Sequence, residues 1–567
     1  MTAATTATTP SAGGQADVAA PLDSLLVQAA ARAPYRRFVP DASTAKFAGT
    51  LLRHPRRTGR RVAGLAREFG RIGAGTSSTA PSGRDRRFTD PAWTQNPLLH
   101  RLVQGYMATG QTAQALVADA DLGRRDAERV GFLVENLVEA MAPSNVPLVN
   151  PSSAKAVIDT AGMSLVRGCR AFVHDMASAP RVPEMVDGTG FQLGENIAAT
   201  PGDVVHRTEI LELIRYRPQT QQIRQVPLLI VPPTINRYYA LDLPPGRSLV
   251  EYLVQQGQQV FVLVWRNPGA RHADWGLDTY VQAVLDTLNV VLRMADTDRA
   301  ALTGVCSGGI IAGLAAGHLA ATGRQDLLAA FTLLVTVLDT DQSGTTSALI
   351  DENLAAAAKA ASARRGYLDG RALAEVFAWL RPGDLIWNYW VNNYLLGRKP
   401  PAFDILFWNA DTTRMPARLH ADFVDFGLQN KIAKPGAMKV LGAPVDLSQL
   451  KVDSYVVAGS ADHITPWQNC YRSTGLLGGD TRFVLSTSGH IAALVNPPTN
   501  PKAGFQQAEQ NPADAQEWLA AAQTRQGSWW PDFSAWLGER CGTTVPTPDL
   551  VGVEPLAPAP GTYVFEK

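Results

Sequence analysis

The spacing of apolar residues changes once along the chain, near Pro201. From about Leu22 to about Ala199 they recur at helix-face intervals, as in Leu98, Leu99, Leu102 and Tyr106, and again in Phe132, Leu133, Leu137 and Met141. Intervals of three and four residues line up on one face of a helix, so this part is predicted to be all-α. Beyond Pro201, short β-branched runs alternate with helical segments, the pattern of βαβ units and a mainly parallel sheet. Strands are predicted at Pro227–Val231, Val260–Trp265, Ala300–Thr303, Ala330–Val337, Ser454–Ala458 and Arg482–Leu485. Between Thr340 and about Phe423 helices and aromatic-rich loops replace the alternation, which predicts a cap or lid insertion over the C-terminal edge of the sheet. The longest strongly apolar stretch, Leu327 to Leu338, contains Thr332 and Thr336 and falls short of the roughly 20 residues that span a bilayer. It is predicted to be a buried strand with its approach.

A chain of 567 residues exceeds the roughly 250 to 300 at which a single core stops growing. The predicted organisation is a disordered leader over residues 1–21, a helical N-terminal domain over 22–199, and an α/β catalytic domain over 200–567 with the insertion at about 340–423. The leader is rich in Thr, Ala, Gly and Ser and lacks the basic and apolar regions of a signal peptide. With 52 basic against 51 acidic residues the net charge is +1, which offers no field for capturing nucleic acid or an anionic membrane. The basic clusters Arg53–Arg61 and Arg84–Arg87 are expected to be solvated faces. Cys169, Cys306, Cys470 and Cys541 are scattered without the paired spacings of zinc sites or disulfide scaffolds, so free thiols in a reducing cytoplasm and no metal are expected.

One cysteine stands apart. The run A-L-T-G-V-C-S-G-G-I, Ala301 to Ile310, joins a short apolar strand to a helix of small residues through a tight turn. This is the context of a nucleophile elbow, G-x-S/C-x-G, whose flanking glycines permit a strained turn that exposes the central side chain. Gly304 and Gly308 frame Cys306. Ser307 is the rival nucleophile, but its own flanks are Val305 and Gly309, and Val305 breaks the pattern. The other cysteines lack this context and are expected to be inert, as buried thiols commonly are.

An elbow of this kind requires an acid and then a histidine later in the chain, the order of an α/β-hydrolase fold. Asp462 follows the strand Ser454–Ala458 in G-S-A-D-H-I-T-P-W, and His490 follows Arg482–Leu485 in S-T-S-G-H-I. Loops at the carboxyl ends of parallel strands are where ligand-facing residues gather. His463 is the competing histidine; adjacent to Asp462, it is placed poorly to be oriented by that carboxylate while also reaching the thiol, and a loop-shaping role suits it better. Asp339, at the end of a strand, is the alternative acid.

Further segments carry a family resemblance: D-R-R-F-T-D-P-A-W (Asp85–Trp93), V-P-P-T-I-N-R-Y-Y (Val231–Tyr239), W-R-N-P (Trp265–Pro268), G-V-C-S-G-G (Gly304–Gly309), N-Y-W-V-N-N-Y-L-L-G (Asn388–Gly397), F-D-I-L-F-W-N (Phe403–Asn409), D-H-I-T-P-W (Asp462–Trp467) and G-H-I-A-A-L-V-N-P-P (Gly489–Pro498). From about Arg84 to the C-terminus the sequence resembles the single-chain class I and II polyhydroxyalkanoate synthases. The resemblance implies a Cys306–Asp462–His490 triad and polymerisation of 3-hydroxyacyl-CoA through a thioester on Cys306, with CoA as leaving group and no cofactor. It also implies a homodimer at the surface of cytoplasmic polyester granules, in company with granule-associated proteins. Oxyanion donors are expected at the backbone N–H of Ser307 and at Ile235 or Asn236.

Overall fold

The computed structural model describes residues 22–30, 41–83, 85–340, 352–547 and 554–567. The leader predicted over 1–21 lies outside the described residues, as do Arg84 of the second basic cluster and the first part of the predicted insertion.

An eleven-stranded sheet organises the second part of the chain. Its strands are β1 (Gly202–Arg207), β2 (Leu211–Tyr216), β3 (Leu228–Val231), β4 (Val260–Trp265), β5 (Ala300–Val305), β6 (Leu328–Leu334), β7 (Ser454–Gly459), β8 (Thr481–Ser486), β9 (Gly504–Gln507), β10 (Gln523–Gln526) and β11 (Ala557–Pro558). They lie in the order β10-β9-β8-β7-β6-β5-β3-β4-β2-β1-β11. The six central strands from β4 to β8 are mutually parallel, and the outer pairings are antiparallel. All six strands predicted from the sequence are present. The hairpin β1–β2 escaped prediction because Glu212 and Arg215, buried in β2, interrupt its apolar run. β10, Q-T-R-Q, is exposed along its length and is held by backbone pairing to β9 alone, so it carries no apolar signal.

Both faces of the sheet are covered. Leu229, Val231, Phe261, Leu263, Leu302 and Phe331 belong to one core, with the helices Leu277–Ala295 and Ser307–Ala321 packed on it. Leu228, Ile230, Val260, Val262, Ala301 and Ala330 belong to the other, under the helices Leu249–Gln255 and Trp530–Arg540. Period-two alternation within continuously apolar strands is what a parallel sheet buried on both faces requires.

The N-terminal part is helical, with the segments Ala42–Arg53, Pro55–Ala74, Pro97–Ala118, Arg124–Ala140, Pro151–Asp159 and Met163–Ala177. Side chains fix several starts: Asp41 accepts from the backbone of Ser43 and Thr44, and Asn96 and Asn150 each cap a helix whose first residue is proline. Leu22–Ala30 departs from this group. Its Leu25, Leu26 and Val27 are fully buried in the sheet-side core, against the insertion helices Glu352–Arg365, Gly370–Leu380 and Ala417–Gln429. Helical structure in the insertion continues beyond Phe423 to Gln429, and the next strand of the main sheet starts at Ser454. Met163–Ala177 docks on the insertion so closely that a Cβ on Gly168 would fall 1.9 Å from the Tyr394 carbonyl oxygen. Among the described residues no helix is long and apolar enough to cross a membrane.

Candidate active site

Cys306 stands between β5 and the helix Ser307–Ala321 with φ 51° and ψ −121°, an uncommon conformation for a residue with a side chain. The glycines around it are required by space. A Cβ on Gly304 would lie 2.6 Å from Ala312 Cβ, and one on Gly308 would lie 2.2 Å from the Pro232 carbonyl oxygen. The turn therefore seats itself on the loop after β3. Cys306 is partly exposed, whereas Ser307 is fully buried and its Oγ accepts the backbone N–H of Thr234 at 3.0 Å. The structure thus gives the two neighbours different places, the thiol at the surface of the turn and the hydroxyl spent on holding a loop.

Asp462, on the loop after β7, and His490, at the start of a short helix after β8, meet at 2.6 Å between Oδ2 and Nδ1. The carboxylate is further fixed by the backbone N–H groups of Ile464 and Thr465, at 2.8 and 2.9 Å, and by the Thr465 hydroxyl at 2.6 Å. That hydroxyl also lies 3.1 Å from His490 Nδ1. Burial by itself lowers the His490 pKa. The charge of Asp462, that of Cys306 and hydrogen bonds to both outweigh it and carry the value up to about 10. Burial likewise works against the charged form of Asp462, yet the His490 charge and the Thr465 bonds hold its carboxyl below the usual range. Cys306, His490 and Asp462 are thereby brought into one interacting series.

The alternative candidates are placed differently. Asp339 accepts from Asn430 and faces Arg472 at 3.4 Å. His463 is partly buried on the Asp462 loop. Cys470 is fully buried, donates to the Thr465 carbonyl at 3.6 Å, and has its pKa pushed well up, chiefly by burial. Cys541 is also buried, with its pKa pushed up by burial to about 12, and Cys169 is exposed on the N-terminal helices.

The loop after β3 carries Ile235 and Asn236, the latter at φ 62°. It is fastened on several sides: Trp265 Nε1 donates to the Pro232 carbonyl, Thr413 Oγ1 to that of Thr234, and Trp408 Nε1 to that of Arg237. Sequence reasoning missed Thr465 and this fastening. Thr465 had a visible signal, since it lies three residues after Asp462 inside D-H-I-T-P-W. The loop contacts had none, being made across the fold.

Two family models match. Residues 84–253 match the poly-beta-hydroxybutyrate polymerase (PhaC) N-terminus, and residues 227–497 match the alpha/beta hydrolase fold, in agreement with the strand order and the elbow. Poly(3-hydroxyalkanoate) polymerase 1 of Ectopseudomonas oleovorans is 44% identical over 519 residues, covering 91% of this chain and 92% of that protein. The chain belongs to the poly(3-hydroxyalkanoate) polymerase family. The poly(3-hydroxyalkanoate) polymerase subunit PhaC of Cupriavidus necator is 38% identical over 494 residues, 85% of this chain and 83% of that protein. The poly(3-hydroxyalkanoate) polymerase of Methylorubrum extorquens is 38% identical over 498 residues, 86% of this chain and 82% of that protein. Polymerases of this family are transferases, and the fold on which this one is built is the α/β-hydrolase fold.

Proposed function

We propose that the chain polymerises 3-hydroxyacyl-CoA into polyhydroxyalkanoate, with Cys306 carrying the growing acyl chain as a thioester. The observation that carries this reading is the Asp462–His490 pair, joined at 2.6 Å, with His490 near enough to the strained Cys306 elbow to interact with its charge. A histidine oriented by a buried carboxylate is placed to take the proton of its cysteine partner as the sulfur attacks. The thiolate attacks the acyl-CoA carbonyl, and the oxyanion is received by the backbone N–H of Ser307 with that of Ile235 or Asn236. Ser307 is the first residue of its helix, where backbone N–H groups have no intrahelical acceptor. The C–S bond to CoA then breaks, and the departing sulfur takes the proton from His490.

Exchange of one thioester for another keeps the acyl group activated. His490, neutral after that proton transfer, next accepts the proton of the 3-hydroxyl of an incoming 3-hydroxyacyl-CoA, whose oxygen attacks the thioester carbonyl. The C–S bond to Cys306 breaks, and the freed thiolate takes back the extended chain by attacking its CoA thioester, CoA leaving with the proton from His490. Water competes for the same carbonyl, and the aromatic residues of the insertion, among them Phe403, Phe407 and Trp408, suit a cap that excludes it. No cofactor enters the scheme. Large apolar side chains exposed on the N-terminal helices, such as Leu52, Leu98, Met141, Ile158 and Val173, suit residence at a polyester granule surface and pairing into a homodimer, with granule-associated proteins as further partners.

Cys306→Ala tests the assignment. It is expected to release no CoA from 3-hydroxybutyryl-CoA above background; release at the wild-type rate rules the nucleophile out. Weighing insoluble polyester against free hydroxyacid from the wild-type enzyme separates polymerisation from thioester hydrolysis on the same fold.

A further inference from the structure

The last residues of the chain return to the loop after β3. β11 pairs with β1 at the sheet edge, and the chain then crosses Glu212, a fully buried carboxylate. Glu212 accepts the backbone N–H groups of Thr562 and Tyr563, both at 2.9 Å, and the Thr562 hydroxyl at 2.7 Å. Gly561 must lack a side chain here, because a Cβ on it would meet Glu212 Oε2 at 2.4 Å, and its φ is 81°. The Tyr563 hydroxyl donates to the Thr208 carbonyl at 2.7 Å, and the Arg266 guanidinium lies over the Tyr563 ring at 4.0 Å. The tail is thus docked by a built set of buried polar contacts.

What the docked tail presents is a pair of carbonyl oxygens to Arg237. Nη1 of Arg237 donates to the Tyr563 carbonyl at 3.1 Å, Nη2 donates to that of Glu566, and Nε faces Asp411 of the insertion at 3.3 Å. The Arg237 side chain is only 3% exposed. A buried guanidinium without acceptors is costly, so its position depends on them. Asp411 also accepts from Tyr239 at 2.9 Å, and Asn236 reaches the Asn409 carbonyl at 3.5 Å. One arginine therefore joins three segments distant in sequence: the tail, the insertion, and the loop that carries Ile235 and Asn236.

We infer that residues 562–566 act as a strap that positions this loop for acyl transfer, with Arg237 as the positioning residue through which the strap acts. The inference rests on the reading of Ile235 or Asn236 as an oxyanion donor. An oxyanion donor must stand where negative charge develops, and loss of one is worth about 10²- to 10³-fold in rate. Freed of its tail acceptors, Arg237 is expected to leave its buried place and the loop to move from the Cys306 turn. The acyl-CoA remains able to bind, because the strap touches none of the residues proposed to react.

The test uses the full chain, a variant ending at Gly561, Arg237→Ala and Arg237→Lys. Each is assayed for CoA release, with kcat and KM separated, and for backbone amide exchange of residues 234–239 read by mass spectrometry. Expected are faster exchange in this loop and a kcat about 100-fold lower, with KM within threefold, for both the truncation and Arg237→Ala. Arg237→Lys, which keeps a charge and fewer donors, is expected to fall between them and the wild type. A synthetic peptide of residues 562–567 added to the truncated enzyme is expected to restore part of kcat and to slow the exchange. Where the truncation fails to fold, Arg237→Ala alone decides. Unchanged exchange in 234–239 overturns the strap. Faster exchange with unchanged kcat also overturns the inference, and locates the failure in the reading of the loop as oxyanion donor. Turnover retained by Cys306→Ala separately marks failure of the proposed nucleophile.

Discussion

The backbone N–H of Thr234 donates to the Oγ of Ser307 at 3.0 Å, and so the residue beside Cys306 ties the loop after β3 to the start of the elbow helix. This separates two side chains that the sequence places next to each other. Cys306 is partly exposed; Ser307 is buried and holds the loop beside it. Ser307→Ala is expected to keep a competent thiol but leave the Thr234 N–H buried without an acceptor, at a cost of about 1–3 kcal/mol. Chemical denaturation checks the stability, and labelling of Cys306 with a thiol reagent checks that the nucleophile survives.

Thr465 bridges Asp462 and His490, at 2.6 and 3.1 Å. Hydrogen bonds to charged groups contribute about 1.5–3 kcal/mol, so Thr465→Val is expected to lower kcat by about 10- to 100-fold. Thr465→Ser retains the hydroxyl and is expected to stay near wild type. Equal rates for Val and Ser at this position show that the hydroxyl does not contribute.

The Asp462–His490 pair makes stability depend on pH in a defined direction. His490 is raised from 6.5 to about 10, so its contribution is fully present below pH 6.5 and is lost as pH climbs through about 10. Asp462 is lowered from 3.8, so its contribution is present above that value and is lost as acid protonates the folded carboxylate. The stability difference between wild type and Asp462→Asn is therefore expected to be largest between these limits and to shrink at both ends. Denaturant midpoints for the two proteins across the pH range check it, and a gap that does not vary with pH contradicts the pairing.

Gly308 has no room for a methyl group, since the Pro232 carbonyl oxygen lies 2.2 Å from where its Cβ would be. Gly308→Ala is expected to destabilise the fold by about 1–3 kcal/mol, the range for overpacking, and to slow acylation of Cys306 by pushing the turn off its loop. Melting temperature and rate of CoA release measure the two effects. Gly323→Ala is a poor control because φ there is +70°; Gly64→Ala, in open space within the helix Pro55–Ala74, is a better one, and should leave CoA release unchanged while raising the melting temperature slightly, alanine being the better helix former.

What could be read in advance follows the range of the interactions concerned. Strands β3 to β8 were visible because burial on both faces makes them continuously apolar, and the elbow because its glycines and cysteine are neighbours in sequence. Asp462 and His490 followed from chain order. β2 was hidden by Glu212 and Arg215, polar residues within its apolar run, of which Glu212 is buried with partners hundreds of positions away such as Thr562. The same holds for Arg237, whose acceptors Tyr563 and Glu566 are backbone carbonyls that no side-chain pattern announces. The placement of Leu22–Ala30 was likewise illegible, because an apolar helical face does not say which groove will cover it.

That first helix has a consequence for biosynthesis. Its Leu26 carbonyl lies 3.2 Å from His420 Nε2, across 394 positions of sequence. At about 5–20 residues per second, the ribosome delivers Leu22–Ala30 roughly 20–80 s before the insertion helices that enclose it. A helix of nine residues is marginal by itself in water. Throughout that interval Leu25, Leu26 and Val27 are apolar side chains open to chaperones or to neighbouring nascent chains. The earliest described helix to emerge therefore takes its place late, and an affinity tag or reporter fused ahead of it bears on a closing step of assembly.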